Sequence, residues 1–497
     1  MKFISRSLIF LMIITIPIVV KAQLSVSDSV DLFVKGKMQQ QHIPALQLSI
    51  ISNGKLVKTA HYGTANLEHN IPVAEETLFQ INSITKAFVG IAVMQLAEEG
   101  KLKVTDPISK YIDSLPVTWQ QLTIKQLLTH TSGLPDILDE DEMVFGGGEK
   151  VAWKRVTALP ILFAPGEKFM YNQTGYVILG KIINKLSGMH FTKFIEERQF
   201  KAADMKRTRF GDSYDVVPNS AGAYTIYKMV DGSFIRNNTP GIAYIQFPEF
   251  YRTAAGIMST AKEMGNWILA LKNGTLLKQK SSIETLFTPA LLNNGKIGGF
   301  NGLTNGYALG WPTVTREEHP AVGPVGGGRN ALFLYLKDDL AIVVLTNLMG
   351  ASPERMIDEI GGYYINDMHE SNGFGLPVDI KKLRIELIKK GFDNALSIAK
   401  ALKKSDPKID LNEKAINAWG YQLLSQKEIA KALAVFKLNT MLYPNSANVF
   451  DSLAETFEIM ENNADALINY KKVLALDPAN KNAANKVKSL SILKTKD

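Results

Sequence analysis

The sequence predicts an α+β domain, an antiparallel sheet flanked by helices with a helical subdomain, followed by an all-α repeat domain. Three observations predict it. Strand-like runs stand at both ends of residues 23–370, helix-like runs fill the middle, and beyond residue 378 the chain turns helical with an internal period.

Residues 1–22 read as a secretory signal peptide: Lys2 and Arg6 precede an apolar run of about 13 residues from Leu8 to Val20, with Ala22 at the exit. The mature protein is then expected to be exported, periplasmic or secreted, with no stable membrane anchor after cleavage. Ala45 to Ile51 alternates, meets the turn Asn53-Gly54 and resumes from Leu56 to Tyr62, a hairpin pattern. Ala87 to Leu96 is apolar and uncharged, as a buried helix requires, and Val177 to Ile183 is similar. Ser213 to Tyr251 is aromatic-rich without a period and is a candidate for substrate-specific insertions. Asn330 to Tyr335 and Leu340 to Leu345, separated by Lys337-Asp338-Asp339, read as a second hairpin. Gly and Pro then mark residues 371–378 as a linker.

Residues 379–497 repeat. Gly420, Ala432, Phe436 and Pro444 recur 34 positions later as Ala454, Ala466, Tyr470 and Pro478. Small residues let paired helices approach, the aromatic fills the gap and Pro stops the second helix. Period and order resemble a tetratricopeptide repeat, which implies a surface able to hold a protein partner.

Composition narrows the function. Of 497 residues, 46% are hydrophobic and 21% charged, ordinary for a chain with a large core. Net charge is +8, too small for this length to argue for nucleic acid. Cys is 0, which removes disulfides, thiolate metal sites and a cysteine nucleophile.

Three short strings carry chemistry. In Ser83-Ile84-Thr85-Lys86, serine and lysine share one helix face at i, i+3. A buried amine there can stay neutral and help deprotonate the hydroxyl; the plainer reading is a helix-capping serine and a solvated lysine. Tyr171-Asn172-Gln173 follows a turn. A phenol held among ammonium and hydroxyl groups can have a lowered pKa and shuttle protons, or it can simply bond a carbonyl. Gly326-Gly327-Gly328-Arg329 precedes a strand, where glycines let backbone approach a ligand or form an ordinary turn.

With their flanks, these strings resemble the serine β-lactamase and penicillin-binding-protein superfamily, nearest its class C branch, which also holds esterases and D-amino-acid peptidases. The resemblance covers roughly residues 30–365 and includes the phrases Leu127 to Pro135, Ala255 to Thr260, Tyr307 to Trp311 and Leu345 to Asn347. It implies a metal-free, cofactor-free serine hydrolase acting on a small ester, amide or peptide. Ser83 would be acylated, Lys86 would be its partner and Tyr171 would pass protons. The N–H groups of Ser83 and Gly327, the latter on an edge strand, would form the oxyanion hole. Gln173 stands where the family has Asn and would meet a substrate amide. Pro324-Val325-Gly326 stands where the family has Lys or His, one residue, then Gly. The cation that meets a substrate carboxylate is therefore missing, with His319 and Arg329 as candidate replacements. This disfavours a true β-lactamase or carboxypeptidase more than an esterase. It also leaves a second reading open, a weak or inactive binder whose repeats recruit a partner. His130, in the Leu127 to Pro135 phrase, is read as a loop-holding residue rather than the base of a Ser–His–Asp triad. The acidic stretch Asp136 to Met143, followed by Gly146 to Gly148, is read as a loop over the site or a solvated one.

Overall fold

The N-terminal and C-terminal strand runs are brought together into one sheet. The computed structural model describes residues 25–138, 148–211, 214–230, 233–243, 248–300, 302–369 and 373–493. The expected signal peptide, most of the acidic stretch after Asp136 and the first residues of the expected linker lie outside these. Among the described residues, nine strands form the main sheet. Its order is Ile71–Pro72, Lys55–Asn66, Ala45–Ser52, Leu340–Thr346, Asn330–Tyr335, Ala321–Val322, Pro312–Val314 and Gly306–Tyr307. Val325–Gly326 pairs with the start of Asn330–Tyr335. The join is antiparallel, with Leu48 opposite Val344. Both expected hairpins form, and the sheet is α+β as predicted.

Leu340–Thr346 is buried at every position, because both faces of the sheet are covered. One face, with Leu48, Ile50, Ile342 and Val344, packs on Val26–Gln41 and Glu354–Gly362. The other, with Ile51, Val343 and Leu345, packs on Ala261–Lys272 and on Thr85–Glu98. Thr85–Glu98 is buried from Thr85 to Leu96, as its uncharged sequence requires. Its Phe88 stacks on Trp267 at 3.8 Å, and Trp267 stacks on Trp311 at 5.5 Å. Gly90 is needed here, since a Cβ would lie 2.2 Å from the Leu309 carbonyl. Ile124–Leu128, Thr174–Ser187 and Phe191–Ile195 complete the helical side.

Ser213 to Tyr251 contains a hairpin, Tyr224–Val230 with Ser233–Ile242. It is joined in parallel to Leu348–Met349. The sequence showed no period there because much of this hairpin is exposed on both faces.

The C-terminal region is a run of helices: Val378–Lys390, Ala395–Ser405, Glu413–Ser425, Ile429–Leu442, Ala447–Ile459, Asn463–Leu476 and Lys481–Leu493. Ala432, Phe436, Ala454, Ala466 and Tyr470 are all fully buried. A Cβ on Gly420 would lie 2.5 Å from the Phe436 ring, so the glycine sets how closely that helix pair packs. The preceding segment is partly packed: Phe374 is buried in the sheet's core and lies 4.5 Å beneath the Arg316 guanidinium. Among the described residues, no helix is long and apolar enough to cross a membrane.

Candidate active site

Ser83 sits in a single 3-10 turn, Asn82–Ile84, that runs into the buried helix Thr85–Glu98. The Thr85 hydroxyl accepts the Ile257 N–H at 3.2 Å and ties this turn to the strand Ile257–Ser259. Ser83 itself is partly exposed, while Lys86, in the first turn of the helix, is wholly buried. Lys86 is therefore not the solvated lysine of the plainer reading. Its Nζ donates to the Ala254 carbonyl at 3.0 Å and lies 4.7 Å from the Tyr171 ring centre. Burial lowers the Lys86 ammonium to about 7, against the opposing charge of Asp136. Close to half of it is then neutral near pH 7.

Tyr171 and Ser83 line the same pocket, and the Ser83 hydroxyl is near enough to act on the phenol. The expectation of a lowered phenol is overturned. Burial raises Tyr171 first of all, Asp136 adds to the rise, and the Ser83 hydroxyl only partly offsets it. A desolvated phenol beside an amine that is only about half protonated near pH 7 gains too little from that cation to offset its burial. Lys86 is thus the group that titrates near neutrality, and Tyr171 keeps its proton.

His130 holds Tyr171 from both sides. Its carbonyl accepts the Met170 N–H at 2.9 Å, and its Nδ1 accepts the Asn172 N–H at 3.3 Å. The imidazole lies 4.4 Å from the Tyr171 ring. Burial, with the Lys86 charge second, keeps it neutral. Nδ1 is committed to Asn172, so His130 positions Tyr171 and does not serve as a base.

Val325–Gly326 lies against the Ser83 turn. A Cβ on Gly326 would meet the Ile81 carbonyl at 2.1 Å. Gly327 has φ +58°, and a Cβ there would meet the Asn82 side chain at 2.8 Å. Only glycine permits this approach. Gly327 is not on the edge strand as expected; it is the first residue of the turn that follows, because the strand ends at Gly326. It remains beside the Ser83 turn. Asn330 locks the junction by donating to the Gln80 carbonyl at 2.8 Å and accepting the Thr346 N–H at 3.2 Å.

The structure does not bring the other predicted contacts into the pocket. Arg329 is 3% exposed, and burial lowers its guanidinium to about 10. His319 bonds Asp338 at 2.9 Å and Asp367 at 3.2 Å, away from Ser83. Gln173 is 6% exposed, and its N–H donates to Asp136 at 3.2 Å. Its Oε1 has no partner among the described residues.

The pocket above Ser83 has a volume of about 300 Å³, small but within the range of ligand sites. Its walls include Tyr171, Phe300, Tyr307, Val325 and Glu354. Asp136, Phe300 and Glu354 were missed. Asp136, half-buried, directly follows the Leu127 to Pro135 phrase, which was a usable signal. Phe300 and Glu354 reach the site only through the fold, Phe300 from a loop and Glu354 from the first position of a helix, neither within a motif.

This geometry can be set against known proteins. Residues 30–361 match the family model described as Beta-lactamase. The chain belongs to the beta-lactamase family. The family member called Protein flp, from Staphylococcus aureus (strain MW2), is 27% identical over 347 residues. That match spans 68% of this chain and 66% of the relative, just under two thirds of its length. The crystal structure of a penicillin-binding protein from Bacillus halodurans is similar with TM-score 0.53 and 25% identity, over 66% of this chain and 98% of that one. A D-amino acid amidase from Ochrobactrum anthropi SV3, complexed with L-phenylalanine amide, shares the fold with TM-score 0.59 and 20% identity, over 69% and 99%.

Proposed function

We propose that this beta-lactamase family member is an exported serine hydrolase of the class C type, working through a covalent acyl-Ser83 intermediate on an ester, amide or peptide. The observation that carries the reading is a wholly buried, half-neutral Lys86 on the turn after Ser83, 4.7 Å from the ring of Tyr171, which lines the pocket beside Ser83.

Neutral Lys86 is the base. As Ser83 Oγ attacks the carbonyl carbon, its proton passes to the Lys86 amine. The ammonium formed lies against the Tyr171 ring, where a cation is favoured. The carbonyl oxygen becomes an oxyanion facing the N–H groups of Ser83 and Gly327; losing one such donor typically costs about 2.7–4 kcal/mol of barrier. The tetrahedral species collapses, and the leaving group departs with the Tyr171 proton, which Lys86 replaces. Water then attacks the acyl carbon, gives its proton back along the same path and releases Ser83. His130, Asn330 and Gly326 act earlier, by holding Tyr171 and the edge strand in register with Ser83.

The C-terminal helices enter the same proposal as tetratricopeptide-like repeats able to hold a protein partner. Their support is the 34-residue recurrence of small, small and aromatic positions, all buried.

The test is intact mass of the protein after exposure to a fluorophosphonate, beside Ser83→Ala. The Oγ–P bond forms and fluoride leaves, so a single adduct on the native chain and none on the variant is expected. A folded native chain that takes no adduct overturns the hydrolase reading and favours the inactive binder.

A further inference from the structure

The pocket above Ser83 has an unusual charge. The resemblance implies a Lys or His on the third string, and here that position is Pro324. Among the described residues lining the pocket, the charged one is a carboxylate, Glu354. The fold delivers it deliberately. The carbonyl of Gly328, in the turn beside Ser83, accepts the N–H groups of Gly350 at 3.3 Å and Ser352 at 3.1 Å. That pair of bonds pins the segment entering the helix Glu354–Gly362 and sets its first residue at the pocket wall.

One oxygen of the Glu354 carboxylate is left without a protein partner among the described residues. Its Oε2 is buried and accepts no hydrogen bond among the described residues. Burial raises its carboxyl, while its own amide and the neighbouring Arg355 pull the other way. The remaining walls suit a cation. Tyr171 and Phe300 lie 5.4 Å apart, and Phe300 and Tyr307 6.0 Å apart, so three ring faces or edges surround the space beside the carboxylate. Lys86 stands behind Tyr171 and does not line the pocket.

We propose that Glu354 determines specificity, and that the substrate is an ester or amide bearing a protonated or quaternary amine, held by the Glu354 carboxylate and the rings of Phe300 and Tyr307. The proposal rests on the reading of Ser83 as the nucleophile. Aromatic walls with a carboxylate are a general solution for ammonium recognition. The lost family cation follows from the same logic, since it would repel such a substrate.

Two isosteric fluorophosphonates test it, one with a 2-(trimethylammonio)ethyl arm and one with the neutral 3,3-dimethylbutyl arm. The readout is the ratio of their second-order rates of Ser83 labelling, by intact mass. The native ratio is expected to be ~10 or more in favour of the cation, as a charged contact of this kind supplies. Glu354→Gln should bring the ratio to about 1, Glu354→Lys should invert it, and Glu354→Asp should retain part of it. A native ratio at or below 1 overturns the proposal without any variant, as does an unchanged ratio in a folded Glu354→Gln. If neither arm labels the native chain, the Ser83 reading itself has failed.

Discussion

Replacing Lys86 by Met should stabilise the folded chain and silence Ser83 together. A lysine ordinarily titrates at 10.5, and burial brings Lys86 to about 7. At 1.36 kcal/mol per pH unit, holding this group in the fold costs about 5 kcal/mol below pH 7. The sign follows from proton counting. Between about 7 and 10.5 the unfolded chain keeps the Lys86 proton and the folded chain has lost it, so native stability rises with pH across that window. Below it both states are protonated and the cost is constant. Met fills a similar volume without charge. It forfeits the donor to the Ala254 carbonyl, which costs about 1–3 kcal/mol. Met should therefore gain about 2–4 kcal/mol near neutrality, and the gain should shrink by about 1.4 kcal/mol per unit of rising pH. Urea unfolding followed by tryptophan fluorescence at about pH 6.5, 7.5 and 8.5 measures it. Three of the tryptophans, Trp119, Trp267 and Trp311, are fully buried within the residues that match the family. Fluorophosphonate labelling of the variant should fall to background, and in the native chain its rate should climb through about pH 7. A gap that is flat with pH, or a variant less stable than native at the lowest pH, refutes a desolvated Lys86.

Tyr171→Phe keeps the ring against Lys86 and removes the proton carrier. Its labelling rate should fall ~10²–10⁴-fold with the melting temperature little changed, and a rate within twofold of native would remove Tyr171 from the mechanism. Gly326→Ala places a methyl 2.1 Å from the Ile81 carbonyl and must part the edge strand from the Ser83 turn. A ~10²-fold drop in labelling and a loss of about 1–3 kcal/mol are expected. Gly36→Ala, in a helix interior with nothing within 4 Å, is the matched control: labelling should be unchanged and stability should rise by about 0.5–1 kcal/mol rather than fall.

Much of this protein could be read from one dimension, and the reason is local. The hairpins from Ala45 and to Leu345 carry their own turns. The helix after Ser83 declares its burial by having no charge between Ala87 and Leu96. Ser83, Lys86 and Tyr171 sit in short strings whose spacing survives without three-dimensional knowledge, and the 34-residue period marks the last helix pairs directly. By contrast, the direction of the Tyr171 shift came out opposite to expectation. A pKa depends on every charge and every removed water around the group, and most of those come from elsewhere in the chain.

The residues that shape the pocket were hidden for a related reason. Arg329 adjoins the third string yet is buried, whereas Glu354, 25 positions further on, lines the pocket. Adjacency in sequence says little about which side of a turn a side chain takes. Here the bonds from Gly350 and Ser352 to the Gly328 carbonyl decide it. The amino-acid sequence by itself determined which elements form and which three side chains can do chemistry, because turns, helical periods and charge-free burial are encoded over a few neighbouring residues. Only the tertiary structure decided that Lys86 is buried and titrates near neutrality, that His130 holds the backbone on either side of Tyr171 and that the pocket wall carries a carboxylate, because desolvation and pocket charge are sums over groups hundreds of residues apart.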